Sequence, residues 1–187
     1  MVAPDLPCDD DSAGLKKYTD VVVNAIGYFT DVIVVGQSLG GFTAPLVCAR
    51  IRSELLVLVA AMVPTPGETG DEWWANTGYP KREAPFDVKE IFFHDVPPDI
   101  TAEAFRRGEK EQSGTPMKEP WPLKKWPNVP TRFLLCRQDR FFPADFQRRV
   151  VQERLGITPD EMDSGHLPAL SRPTELVERL ETYREAL

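Results

Sequence analysis

The stretch "DVIVVGQSLGGFTAP", residues 31–45, sets a serine between glycines at the point where an apolar run stops. "VIVVG" is a continuous β-branched run, the kind expected for a strand covered on both faces. "SLGGFTAPLVCARI" follows at once and reads as a helix despite its glycines, with Pro45 near its start. Gly36-Gln37-Ser38-Leu39-Gly40 is therefore a G-x-S-x-G pentapeptide set between a buried strand and a helix. Such a turn strains its central residue and holds that side chain clear of the fold, at the sheet's C-terminal edge. Gly36 and Gly40 are expected where the chain crosses itself and the neighbouring strand too closely for side chains. A helix that begins at Ser38 aims its amide dipoles at any oxyanion formed there.

Outward from the elbow, the same alternation of strands and helices continues. "VAPDLP" at the start reads as a short buried strand running into the turn-like "CDDDSAG". Leu15, Tyr18, Val22 and Ile26 fall at helical spacing, with Ser12 as the expected N-cap. "LLVLVAAM" is a second buried strand and "TRFLLC" a later one. "ADFQRRVVQERLG" predicts a helix with Phe146, Val150 and Leu155 on one face, and "GITPDEM" a short edge strand that tolerates Pro159. "RPTELVERLETYREAL" predicts a closing amphipathic helix with Leu176, Val177, Leu180 and Leu187 inward. Strand–helix alternation with continuous apolar strands specifies an α/β fold with a mostly parallel sheet flanked by helices. One domain over residues 1–187 is expected, with an insertion at about 64–128. That insertion is rich in proline and aromatic residues, only "PDITAEAFRRG" in it reads as a clear helix, and its length marks it as a lid.

A serine hydroxyl is a poor nucleophile near neutral pH and needs a base, itself oriented by a carboxylate. In a strand–elbow–helix architecture the expected chain order is serine, acid, histidine. "LLCRQDRFFP" places Asp139 just past a strand end, and "MDSGHLPALSRP" places His166 in a glycine-containing loop before the last helix. Other readings stand beside these: His166 as a loop histidine bonded to backbone, and Asp139 as a turn-former or cap for the helix near Pro143. Asp145, Asp163, Glu68 and Asp71 are the rival acids. His94, inside the insertion, reads as structural. Trp73, Trp74, Trp121 and Trp126 are either core for the insertion or walls of an apolar pocket. Trp73, Trp74 and Trp121 are taken, with Gln37 and Leu167, as substrate-contacting candidates.

Composition narrows the class. The 187 residues are enough for one compact domain, and a formal net charge of −7 argues against nucleic acid or an anionic membrane as partner. "LLVLVAAMV" is about half of what spanning a bilayer needs, and "MVAPDLPCDDD" carries no signal-like leader. Cys8, Cys48 and Cys136 are odd in number and far apart, which favours a reducing cytoplasm over a disulfide framework. Two histidines and scattered cysteines make no metal constellation, and no cofactor is expected.

On "VAPDLP", "VVGQSLGG", "LVLVAAMVPTPGE", "FFHDVPPDITAEAF", "DRFFP" and "GHLPALSRP", the chain resembles the α/β-hydrolase superfamily. Within it, the resemblance is to the compact esterases that include plant methylesterases, hydroxynitrile lyases and bacterial carboxylesterase-like proteins. The resemblance implies Ser38 as nucleophile, His166 as base, Asp139 as orienting acid and the Leu39 amide as one oxyanion donor. Gln37 stands where His or Glu is more usual, and Cys8 where a glycine often follows "DLP". Leu167 replaces the lysine that follows the catalytic histidine in lyase members, which favours ester hydrolysis over cyanohydrin cleavage. A serine at the elbow disfavours dehalogenase chemistry, which uses an aspartate.

Family members also carry an earlier strand, an "HG" oxyanion loop and a helix before "VAPDLP", so the chain reads as N-terminally truncated. Two expectations follow: an unpaired sheet edge that favours a homodimer, and the loss of one oxyanion donor, worth about a hundred- to a thousandfold in turnover. The first functional expectation is a serine hydrolase acting on small carboxylic esters through an acyl-enzyme. The second is a catalytically weak or silent relative that binds small molecules or partners.

Overall fold

A computed structural model describes residues 1–80, 85–108 and 111–187. Its sheet has four parallel strands in the order β1 (Val32–Gln37), β2 (Ser53–Val59), β3 (Thr131–Cys136) and β4 (Asp160–Met162). This is the parallel α/β arrangement expected from the apolar runs. Between the strands run α2 (Gly40–Cys48), then α3 (Gly70–Asn76), α4 (Val88–Phe92), α5 (Pro98–Arg106) and α6 (Thr115–Lys118). α1 (Leu15–Ile26) precedes the sheet, α7 (Ala144–Leu155) joins β3 to β4, and α8 (Pro168–Ser171) and α9 (Pro173–Glu185) close the chain.

β2 shows why the strands are apolar throughout. Leu56 and Leu58 enter one core with Phe42, Val47, Trp73, Trp121, Phe133 and Phe146. Leu55, Val57 and Val59 enter a second core on the opposite face, with Leu134, Cys136, Met162 and Tyr183. A strand with helices on both faces needs an apolar residue at every position, since successive side chains point to opposite faces.

Several expectations are corrected. Residues 2–7 form no strand; none of them is buried, they have no ladder partner among the described residues, and Pro4 and Pro7 lack the N–H a ladder would use. β1 is not covered on both faces: Val35 is 47% exposed. Cover on that face comes from α9 through Tyr183, Leu176 and Leu180, and it stops short of Val35. On α9 itself, Val177 is exposed and Tyr183 is buried, and Leu187, past the helix end, is exposed. Residues 176, 180 and 183 share one helical stripe, whereas 177 lies about 100° around it.

Ser12 does not cap α1; its hydroxyl donates to Asp10, and the Leu15 amide donates to Glu119 Oε2 at 2.6 Å. A carboxylate from far along the chain thus serves the positive end of the helix. Among its described residues, the segment between β2 and β3 holds three short helices besides α5. Thr69 and Glu72 form a reciprocal capping box on α3, and Asp87 accepts from the Lys89 and Glu90 amides at the start of α4. Residues 81–84 and 109–110 of the expected 64–128 insertion lie outside the described residues.

The buried pair Glu68–Arg154 fastens the start of this segment to α7. Glu68 accepts from Arg154 Nη2 at 2.8 Å, Asn76 Nδ2 at 2.9 Å and the Thr65 amide at 3.1 Å. Burial pushes its carboxyl up, but the hydrogen bonds from Arg154 and Asn76 outweigh burial and leave it below the ordinary value. A depressed folded-state value means the contribution to stability is present above the unfolded pKa and is lost as pH falls through the folded one. Glu68→Gln strands the Arg154 charge in the interior and is expected to cost about 3 kcal/mol. Urea denaturation at pH 7 and pH 3.5 checks this: the gap between wild type and variant narrows at the lower pH.

Candidate active site

β1 ends at Gln37, α2 begins at Gly40, and Ser38 between them has φ 51°. This left-handed conformation in a non-glycine residue is strained. Two backbone bonds, to the end of β2 and to the chain just past it, hold it there: Ser38 N–H to the Val59 carbonyl at 3.2 Å, and Met62 N–H to the Ser38 carbonyl at 3.0 Å.

The glycines around the serine divide their work differently from the expectation. A Cβ on Gly36 would meet Ala44 Cβ at 2.7 Å and the Gly40 carbonyl oxygen at 2.8 Å. A Cβ on Gly40 would meet nothing within 4 Å, whereas one on Gly41 would sit 1.8 Å from the Met62 carbonyl oxygen. Gly41, outside the pentapeptide, is the residue pressed against the chain just past β2.

The structure brings Ser38, His166 and Asp139 together across 128 and 27 residues of chain, with Nε2 of His166 3.0 Å from Ser38 Oγ and Nδ1 2.8 Å from Asp139 Oδ2. Asp139 also accepts, through Oδ1, from the amides of Phe141 at 2.7 Å and Phe142 at 3.0 Å. One oxygen of Asp139 thus holds the turn and the other faces the imidazole. Asp139 and His166 are buried, and Ser38 is half-buried at the mouth of a cleft. Phe92, Phe141 and Phe142 pack around the imidazole with ring centroids 5.0, 5.3 and 5.4 Å away. In such a water-poor setting the contact between a carboxylate and an imidazole is stronger than in bulk water.

The rival acids are engaged elsewhere. Asp145 is 98% exposed and pairs with Arg148, Asp163 pairs with Arg137 at 2.6 Å, and Glu68 is bound to Arg154. Asp71 sits in the first turn of α3. The Cys136 thiol, at the end of β3, is pushed up to about 12, chiefly by burial, and stays protonated rather than competing as a nucleophile. Among the described residues no group of three or more His, Cys, Asp and Glu could hold a metal ion, and no helix is long and apolar enough to cross a membrane.

The cleft at Ser38 has a volume of about 430 Å³ and is lined by Gln37, Leu39, Phe92, Phe93, His166 and Leu167. Of the residues expected to contact substrate, Gln37 and Leu167 line this cleft. Gln37 also has a second task, donating from Nε2 to the His166 carbonyl at 2.5 Å. The tryptophans do not line this cleft. Trp73 and Trp121 are core residues whose indole N–H groups donate to the Val63 and Phe42 carbonyls, and Trp74 packs edge-on to Trp73 and Tyr79. Phe92, Phe93, Phe141 and Phe142, which sequence reasoning passed over, surround the cleft and the imidazole; their signal was the paired "FF" in "IFFHDV" and "DRFFP". The Leu39 amide makes no backbone hydrogen bond among the described residues, so the elbow presents a free donor beside the hydroxyl.

The fold has known counterparts. The chain is similar to a pyrethroid hydrolase from Sphingobium faniae, with a TM-score of 0.77 at 20% identity over 98% of this chain and 85% of that one. Polyneuridine aldehyde esterase has a TM-score of 0.74 at 17% identity over 93% and 81% of the two chains. A methylesterase from Arabidopsis gives 0.74 at 16% over 97% and 81%. Identities this low carry the fold alone. A comparison with curated protein sequences gives no match. The family model described as Alpha/beta hydrolase family matches residues 1–179. A match over almost the whole length, on a parallel sheet whose first strand turns through a strained serine into a helix, means that the chain belongs to the alpha/beta hydrolase family.

Proposed function

We propose that this chain is a serine hydrolase that cleaves small carboxylic esters through an acyl-enzyme. The observation that carries the reading is the continuous run Ser38 Oγ–His166–Asp139, with contacts of 3.0 and 2.8 Å at a cleft mouth. In this reading His166 Nε2 takes the Ser38 proton as Oγ attacks the acyl carbon, while Asp139 holds the other ring nitrogen protonated. The carbonyl electron pair moves onto oxygen, where the Leu39 amide donates to it. As the C–O bond to the alcohol breaks, His166 returns its proton to the leaving alkoxide. Water then attacks the acyl-enzyme by the same route and releases the acid.

Phe92, Phe93 and Leu167 make the cleft apolar, which fits an acyl or alcohol group of that character. The first two come from the segment between β2 and β3, and that supports its reading as a lid. The two structural counterparts named as esterases point the same way.

The test is covalent labelling with a fluorophosphonate, beside turnover of a p-nitrophenyl ester panel. Wild type is expected to be labelled at Ser38, Ser38→Ala to be silent, and His166→Ala to lose at least about a thousandfold in turnover. A folded wild type that takes up no label sinks the proposal. Labelling with no steady turnover favours the small-molecule-binding alternative.

A further inference from the structure

The loop that carries His166 is held at three points by three separate parts of the chain. Gln138 N–H donates to the Ser164 carbonyl at 3.0 Å, Gln37 Nε2 to the His166 carbonyl, and Gly165 N–H to Asp95 Oδ2 at 2.7 Å. The first two anchors come from the strand ends that carry Asp139 and Ser38. The third comes from the turn between α4 and α5, 70 residues away in sequence.

Three observations meet at this third anchor. Gly165 has no left-handed φ, so its backbone conformation does not call for glycine. A Cβ there would lie 2.4 Å from Asp95 Oδ1 and 2.7 Å from His94 Nε2, so the space is already taken by two polar atoms. Those same two atoms, Asp95 Oδ1 and His94 Nε2, are buried without a hydrogen-bond partner. A buried unpartnered polar atom costs about 1–3 kcal/mol, which a turn serving packing alone would shed with an apolar residue. Phe92 and Phe93, the cleft wall, immediately precede this pair in the chain.

We propose that Asp95 is a positioning residue for the Ser38 chemistry: from the segment over the cleft it clamps the Gly165 amide and so sets the imidazole of His166 between Asp139 and Ser38. This rests on the serine-hydrolase reading. The clamp joins the apolar wall of the cleft to the base, and a displacement of about 1 Å at such a base costs on the order of a hundredfold in rate.

The test compares full-length wild type, Asp95→Ala, Asp95→Leu and Asp95→Asn. The measurements are the rate of fluorophosphonate labelling per folded molecule, kcat and KM on an ester, and the His166 Nδ1 proton by NMR without substrate. Asp95→Ala is expected to slow labelling and kcat by about 10- to 100-fold with KM changed less than about twofold, and to shift or broaden the Nδ1 proton. Asparagine can offer its amide oxygen to the same N–H and is expected to recover most of the rate. Leucine keeps the shape without the acceptor and replaces alanine in the comparison should alanine fail to fold.

A merely structural role lowers Tm and leaves labelling per folded molecule and the Nδ1 proton as in wild type, and that result overturns the proposal. The proton signal needs no turnover. If wild type proves inert to the probe, the serine-hydrolase reading fails while the clamp is still decided by that signal.

Discussion

Changing Asp139 to asparagine is expected to leave the chain folded and to lower kcat on esters by about ten-thousandfold. The two oxygens of Asp139 do separate work: Oδ1 accepts the amides of Phe141 and Phe142, and Oδ2 faces His166 Nδ1. In Asp139→Asn the amide oxygen continues to serve the two backbone donors, so the NH₂ turns toward Nδ1. That nitrogen must then accept, the ring proton moves to Nε2, and Nε2 can no longer take the proton of Ser38. The fold loses about 1 kcal/mol at most, because every buried group still has a partner. Asp139→Ala loses activity as well, but it also leaves two buried amides unpaired, at about 1–3 kcal/mol each. Steady-state kinetics with thermal melts on both variants separates the two oxygens. An asparagine variant within tenfold of wild type means that this contact does not orient the working base.

Much of this arrangement was legible in the chain. The apolar runs of β1, β2 and β3 and the elbow between β1 and α2 are local patterns, and local patterns survive into the fold; Asp139 and His166 were read instead from a strand end and a loop that fall in the expected chain order after Ser38. What was not legible depends on which distant segment arrives next to a residue. "VAPDLP" has the composition of a strand, but composition cannot say whether a partner strand lies alongside. Tryptophan and phenylalanine both suit a pocket wall; here the Val63 and Phe42 carbonyls accept the indole N–H groups of Trp73 and Trp121 and make those two core residues. The rings of Phe92, Phe141 and Phe142 carry no N–H to satisfy and pack around the imidazole. Nothing in the sequence around Asp95 marks it, because the amide it binds lies 70 residues downstream. By contrast, the caps at Thr69 and Asp87 were local and could have been read from "TGDE" and "DVKE".

The elbow's glycines give the sharpest contrast between pattern and packing, in two substitutions one residue apart. Gly41→Ala places a methyl group 1.8 Å from the Met62 carbonyl oxygen and 2.9 Å from its carbon, both of them backbone atoms that cannot rotate away. Relief requires α2 to part from the end of β2, and the Met62 N–H to Ser38 carbonyl bond that holds the elbow lies at that junction. Overpacking against mobile side chains costs about 1–3 kcal/mol; against fixed backbone, Gly41→Ala is expected to cost about 3 kcal/mol or more and to abolish labelling of Ser38. Gly40→Ala meets open space at a helical position, where alanine is favoured over glycine by up to about 1 kcal/mol. It is expected to keep the wild-type labelling rate and to match or exceed the wild-type Tm. Urea denaturation and probe labelling of the pair decide the matter: a Gly41→Ala protein as stable and as reactive as wild type, or a Gly40→Ala protein that is the weaker of the two, contradicts the packing that holds Ser38 in its left-handed turn.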